Sequence, residues 1–184
     1  LLVMNVLGAA FRGQGKVQEA VQTYNRAIQL KPDYNESHFN LGNTLQSLGR
    51  LDEAVASYGK AIQLKPDYSG AHINLGTALR ALGRLEEAEA SYRKTIVLKP
   101  DYADAHSNLG VTLQELGRFG EAEASYREAI ALNPDFAAAH YNLGITLQEL
   151  GRSTAAEASY KKAIALEPDN VAAHSNLGNT LQAH

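Results

Sequence analysis

Residues 103–136 read ADAHSNLGVTLQELGRFGEAEASYREAIALNPDF and residues 137–170 read AAAHYNLGITLQELGRSTAAEASYKKAIALEPDN; aligned end to end, the two stretches agree at 24 of 34 positions. The same period extends outward from them. Pro32, Pro66, Pro100, Pro134 and Pro168, the five prolines of the chain, stand 34 residues apart. Leu-Gly pairs recur at Leu7-Gly8, Leu41-Gly42, Leu75-Gly76, Leu109-Gly110, Leu143-Gly144 and Leu177-Gly178, and tyrosine at Tyr24, Tyr58, Tyr92, Tyr126 and Tyr160. A fixed period of this length marks stacked supersecondary units, each of which needs its neighbours to bury its apolar face. The repeats run 1–34, 35–68, 69–102, 103–136 and 137–170, and 171–184 begins a sixth that stops after one helix. Positions below are counted from the start of each repeat.

Each repeat spells two helices. Ala105, Leu109, Leu113 and Leu116 fall on one helical stripe, and Gly117 follows as the left-handed residue that closes a helix. Ala122, Tyr126 and Ile130 form a second stripe, ended by Pro134. Asp33 before Glu36 and Asp101 before Asp104 are the expected N-caps, with a capping box. Glu89–Arg93, Glu123–Arg127 and Glu157–Lys161 are spaced for solvent-face ion pairs.

Composition narrows the function. The chain of 184 residues is 45% hydrophobic and 20% charged, an ordinary globular balance. With 17 basic against 20 acidic residues there is no electrostatic footprint for nucleic acid. The lack of cysteine removes disulfides, thiolate metal sites and a cysteine nucleophile. The apolar opening Leu1–Leu7 ends at Gly8 and Arg12, too short for a bilayer and without a signal peptide's basic lead. A chain that begins with Leu1 reads as a piece of a longer protein, expected in the cytoplasm, with no membrane or nucleic-acid partner.

Leu41, Gly42, Gly49, Ala54, Tyr58, Ala61 and Pro66 of the second repeat, recurring along the whole chain, resemble the tetratricopeptide repeat (TPR) pattern. The departures are histidine where the family has an aromatic early in the first helix, Thr95 in place of alanine, and Ser153-Thr154 opening a second helix. The resemblance implies an all-α, right-handed superhelical solenoid, a single array over 1–184 with five repeats plus one extra helix. First helices would line its concave side.

Three of the ten positions at which residues 103–136 and 137–170 differ fall together. Positions 2, 5 and 9 lie on one first-helix stripe and hold Glu36, Phe39, Asn43; Gly70, Ile73, Thr77; Asp104, Ser107, Val111; Ala138, Tyr141, Ile145; and Ala172, Ser175, Asn179. A stripe packed on identical neighbours should repeat, whereas one facing a non-repeating ligand need not. Beside it, position 6 is Asn40, Asn74, Asn108, Asn142 and Asn176 in every copy but the first, where it is Val6. A side-chain amide donates and accepts as a peptide group does, so an asparagine ladder can hold an extended backbone without reading its sequence. This is similar to the TPR region of O-linked N-acetylglucosamine transferases. The alternative is structural, each amide bridging to a neighbouring helix.

Position 4 carries His38, His72, His106, His140 and His174. One imidazole per repeat, on helices about 8–10 Å apart, cannot converge on one metal ion, so these rings are expected to pack and to hydrogen-bond through one nitrogen. Positions 2, 5 and 6 hold no Lys or Arg, unlike grooves that clamp acidic chaperone tails. No catalytic set, cofactor motif or metal site stands out. The expected function is a non-enzymatic scaffold binding an extended polypeptide through the asparagines, with Phe39, Ile73, Tyr141, Asn43, Thr77 and Ile145 as further contacts. Two other readings stay open. One is the substrate-recruiting arm of a larger glycosyltransferase. The other is self-association through the final helix, where Leu177 and Leu181 have no second helix to cover them.

Overall fold

The computed structural model describes residues 2–182, which are helical with short turns and contain no strand. The helices pair as α1 (Leu2–Gly13) with α2 (Val17–Leu30), α3 (Asn35–Ser47) with α4 (Leu51–Leu64), α5 (Ser69–Ala81) with α6 (Leu85–Leu98), α7 (Ala103–Glu115) with α8 (Phe119–Leu132), and α9 (Ala137–Glu149) with α10 (Ser153–Leu166). The last helix, α11 (Val171–Gln182), is a first helix without a partner among the described residues. This is the all-α arrangement of paired helices that the resemblance implies.

Each hairpin turns at its glycine. Gly49 sits at φ 71°, and beside it Arg50 N–H donates to Leu45 O at 2.9 Å, absorbing a carbonyl left open at the end of α3. The turn between repeats differs from the expected capping box. The N-caps of α3 and α7 are Tyr34 and Tyr102, with no side-chain capping bond; Asp33 and Asp101 lie one residue too early. Proline explains the shift. Lys31-Pro32-Asp33-Tyr34 closes as a β-turn through Tyr34 N–H to Lys31 O (3.2 Å), so the helix begins only after the fourth turn residue. The Lys31 ammonium then lies 5.7 Å from the centre of the Tyr34 ring.

The core is a column of tyrosines. Tyr24, Tyr58, Tyr92, Tyr126 and Tyr160 are fully buried, each among alanines of its own second helix. Each ring lies on the glycine of its repeat's Leu-Gly pair: a Cβ placed on Gly8, Gly42, Gly76, Gly110 or Gly144 would meet the ring at 2.5–2.8 Å. Gly178, with no tyrosine opposite, has no such contact. Thr95, the departure from alanine, is buried and spends its hydroxyl on Ser91 O at 3.0 Å.

The chain divides into two compact units, Leu1–Leu98 and Lys99–His184. In unit 1, α2 packs on α3 and α4 on α5, and the first helices α1, α3 and α5 touch in succession. In unit 2, α8 packs on α9 and α10 on α11, and α7, α9 and α11 touch in succession.

Candidate functional site

The candidate residues lie on the first helices. In unit 1 most of them are held by the protein itself. Asn74 Nδ2–H donates to Asn43 Oδ1 at 2.7 Å, tying α5 to α3. The same oxygen accepts from the Tyr58 hydroxyl at 2.8 Å, and that hydroxyl also lies 2.7 Å from Gln46 Oε1. Burial pushes the Tyr58 hydroxyl well above the ordinary phenol range. Thr77 donates to Ile73 O at 3.0 Å and accepts from Tyr92 at 3.2 Å. Ile73 is 7% exposed, and the Phe39 ring lies 4.7 Å from that of Tyr68. Asn40 differs. Its carbonyl accepts from Thr44 at 2.7 Å, while its half-buried side-chain amide makes no hydrogen bond to another described residue.

In unit 2, Asn108 and Asn142 are half-buried, and the Asn142 side-chain amide makes no hydrogen bond to another described residue. The residue that holds Asn74 is Asn43, at position 9 of the preceding repeat; position 9 before Asn142 is Val111, which offers no acceptor. Asn176 follows Ile145 and is caught differently, donating to the Tyr141 hydroxyl at 3.3 Å. Tyr160 donates to Gln148 Oε1, Gln148 Nε2–H to Thr180 Oγ1 (2.7 Å) and Thr180 to Asn176 O (2.8 Å). Burial is the main reason that the Tyr160 hydroxyl is pushed up to about 12.

Val111 and Ile145 line a cleft of about 440 Å³, with Phe119 and with Gln114, Glu115 and Glu149 around them. Of these only Ile145 was among the candidates. Glu115 and Glu149 show in the sequence as a change at position 13, where unit 1 has Gly13, Ser47 and Ala81; Phe119 has no aromatic counterpart in the other repeats.

Of the histidines, His38 and His72 are buried as expected, His106 and His140 are half-buried, and His174 is exposed. His38, His72, His106, His140 and His174 each set Nε2 at 2.8–3.0 Å from the carbonyl of the proline six residues earlier. A carbonyl only accepts, so Nε2 carries the proton, and each ring fastens its first helix to the preceding turn. Among the described residues no three His, Cys, Asp or Glu side chains stand together as a metal site. On α11, Leu177 is half-buried and Leu181 is 51% exposed. No helix among the described residues is long and apolar enough to cross a membrane.

The family model of the cilia and flagella-associated protein 70 C-terminal domain matches residues 1–184. No match is found among curated protein sequences. Among solved structures, MamA is similar at 26% identity and a TM-score of 0.85, over 88% of this chain and 94% of that one. TTC0263, a thermophilic TPR protein of Thermus thermophilus, is similar at 25% identity and a TM-score of 0.69, over 98% of each chain. YrrB, described as a TPR protein with an unusual peptide-binding site, shares the fold at 22% identity and a TM-score of 0.83, over 94% of this chain and 89% of that one.

Proposed function

This chain belongs to the family of the cilia and flagella-associated protein 70 C-terminal domain, a TPR family, and on that premise we propose that it is a non-enzymatic scaffold that binds an extended polypeptide across its first helices. The observation that carries the reading is the state of Asn40 and Asn142. Their amides are half-buried and make no hydrogen bond to another described residue. Asparagine is a poorer helix former than alanine, so at these positions it gains the helix nothing. An amide in that state complements a peptide group in both directions. Asn74 and Asn176 have a second role, fixing the first helices to one another through Asn43 and Tyr141. In unit 2, Tyr141 and Ile145 add apolar contact beside the Asn142 amide.

The test is the double substitution Asn108→Ala/Asn142→Ala, read against a peptide selected from a degenerate decapeptide library. Two lost bonds at about 0.5–1.5 kcal/mol each predict roughly 5- to 150-fold weaker binding. The melting temperature should hold or rise, because alanine favours the helix. Unchanged affinity in a folded double variant overturns the reading.

A further inference from the structure

Unit 2 repeats a short side-chain pattern on neighbouring helices. On α7 it is Asn108, Val111, Glu115; on α9 it is Asn142, Ile145, Glu149. The spacings of three and four residues keep each trio on one helix face. Amide, aliphatic side chain and carboxylate therefore follow one another along both helices. Unit 1 has the amide without the rest: Asn40, Asn43, Ser47 on α3 and Asn74, Thr77, Ala81 on α5.

The aliphatic pair is an open cleft. Val111 and Ile145 with Phe119, the first residue of α8, line about 440 Å³, within the size range of ligand-binding clefts. Glu115 and Glu149 stand one turn along from the apolar pair and are exposed. The charge of the whole face agrees. The helices α7, α9 and α11 carry Asp104, Glu115 and Glu149 and no Lys or Arg, whereas α1, α3 and α5 carry Arg12 and Arg80 against Glu36.

From the apolar cleft and the exposed Glu149 at its edge we infer that unit 2 selects extended peptides in which a large apolar side chain is flanked by Lys or Arg. The inference rests on the first-helix reading proposed above and adds the class of ligand to it. The apolar side chain fills the space between Val111, Ile145 and Phe119 and supplies most of the affinity. The Glu149 carboxylate is exposed and acts on selectivity and encounter, drawing basic residues and repelling acidic ones.

The experiment selects a degenerate decapeptide library, displayed on phage, against the immobilised full chain, and then titrates one enriched peptide by fluorescence polarisation. The expected enrichment is Leu, Ile or Phe flanked by Lys or Arg. Glu149→Lys should turn the selected charge away from Lys and Arg and weaken the enriched peptide about tenfold. Ile145→Asn should weaken it about tenfold, with Ile145→Thr as the milder change should the first fail to fold; circular dichroism melts establish which variants fold. Enrichment of neutral or acidic peptides, or equal binding by Glu149→Lys, overturns the inference. The double substitution Asn108→Ala/Asn142→Ala separates the two readings. Peptides without basic residues that depend on the two amides leave the amide reading standing and remove the cleft. Basic–apolar peptides that ignore the amides but are lost with Glu149→Lys do the reverse, and no enrichment at all overturns both.

Discussion

Asn74 in unit 1 and Asn142 in unit 2 occupy the same position of their repeats, yet one amide is bonded to its neighbour helix and the other makes no hydrogen bond to another described residue. The cause lies outside both residues. Position 9 of the preceding repeat is Asn43 before Asn74 and Val111 before Asn142. One exchange of an amide for an isopropyl group releases the partner amide and leaves an apolar cleft beside it. In a repeat protein, then, the role of a constant residue is set by the variable residue it faces one repeat away. Asn176 follows the rule from the other side: Ile145 gives it no acceptor at position 9, and it finds the Tyr141 hydroxyl at position 5 instead.

What the units share should break them alike. Tyr58 and Tyr126 are both fully buried against a Leu-Gly glycine. Tyr58→Ala and Tyr126→Ala should each cost about 3–5 kcal/mol in denaturant unfolding, as truncation of a buried aromatic does. A loss below about 1 kcal/mol at either site would mean that its ring is not part of the core.

The asparagines should separate the units by sign. Asn74→Ala removes the donor to Asn43 and should cost about 1 kcal/mol, less the small gain in helix propensity. Asn142→Ala removes no side-chain hydrogen bond to another described residue and should be neutral or stabilising by a few tenths of a kcal/mol. Two thermal melts decide this. Equal losses at both positions would show that Asn142 has a structural partner and would remove the distinction between the units.

The fold was legible because the period repeats every signal. Tyr126 could be placed on the apolar stripe of its helix from spacing alone, and the structure adds that Gly110 is there to admit its ring. Histidine as a packing residue was legible at His38 and His72, although its acceptor, the proline carbonyl, was not named. The capping reading failed because Asp33 was judged by residue type, while Pro32 fixes a turn that moves the cap to Tyr34. The division of the asparagines was out of reach for the same kind of reason. Periodicity says which residues share a face, but a hydrogen bond such as Asn74 to Asn43 depends on side-chain reach between helices 31 residues apart in sequence. Phe119, Glu115 and Glu149 were passed over because position 13 and position 17 look like solvent-facing ends of helices until the next repeat is packed beside them.

The comparison can be sharpened by moving unit 1's residue into unit 2. Val111→Asn places an acceptor where Asn43 stands in the earlier repeat and should capture Asn142. A double-mutant cycle with Val111→Asn and Asn142→Ala should then show about 0.5–1 kcal/mol of coupling, the worth of one net hydrogen bond. The same substitution fills the cleft with an amide, so peptide binding should fall while stability is kept. Zero coupling would mean that backbone spacing, and not the side chain at position 9, sets the state of the asparagine.

The smallest expected effect concerns charge at the second helices. In unit 1, Arg50 pairs with Glu53 at 2.6 Å and Arg84 with Glu87 at 2.7 Å, each within its own repeat. In unit 2 the residue three after Arg152 is Ala155, and Arg152 instead reaches Glu123 on α8 at 2.7 Å, joining two repeats. Glu123 also accepts from Arg127 at 2.9 Å. Burial alone would raise the Glu123 carboxyl, but the hydrogen bonds and charges of Arg127 and Arg152 outweigh it and hold it below the usual carboxylate range. A carboxyl depressed in the folded state contributes stability above its unfolded value, near ~4.3, and loses it as pH falls through the folded value. Arg152→Gln should therefore cost about 0.2–1 kcal/mol at pH 7, less in high salt, with the difference fading as the solution is acidified below about pH 4. NMR titration should find Glu123 moved upward in that variant. Ala155→Glu should do the same by a different route, since it offers Arg152 the partner within its own repeat that Arg50 and Arg84 already have. If Glu123 does not move in either variant, Arg152 does not hold the two repeats together and unit 2 is no different from unit 1 in this respect.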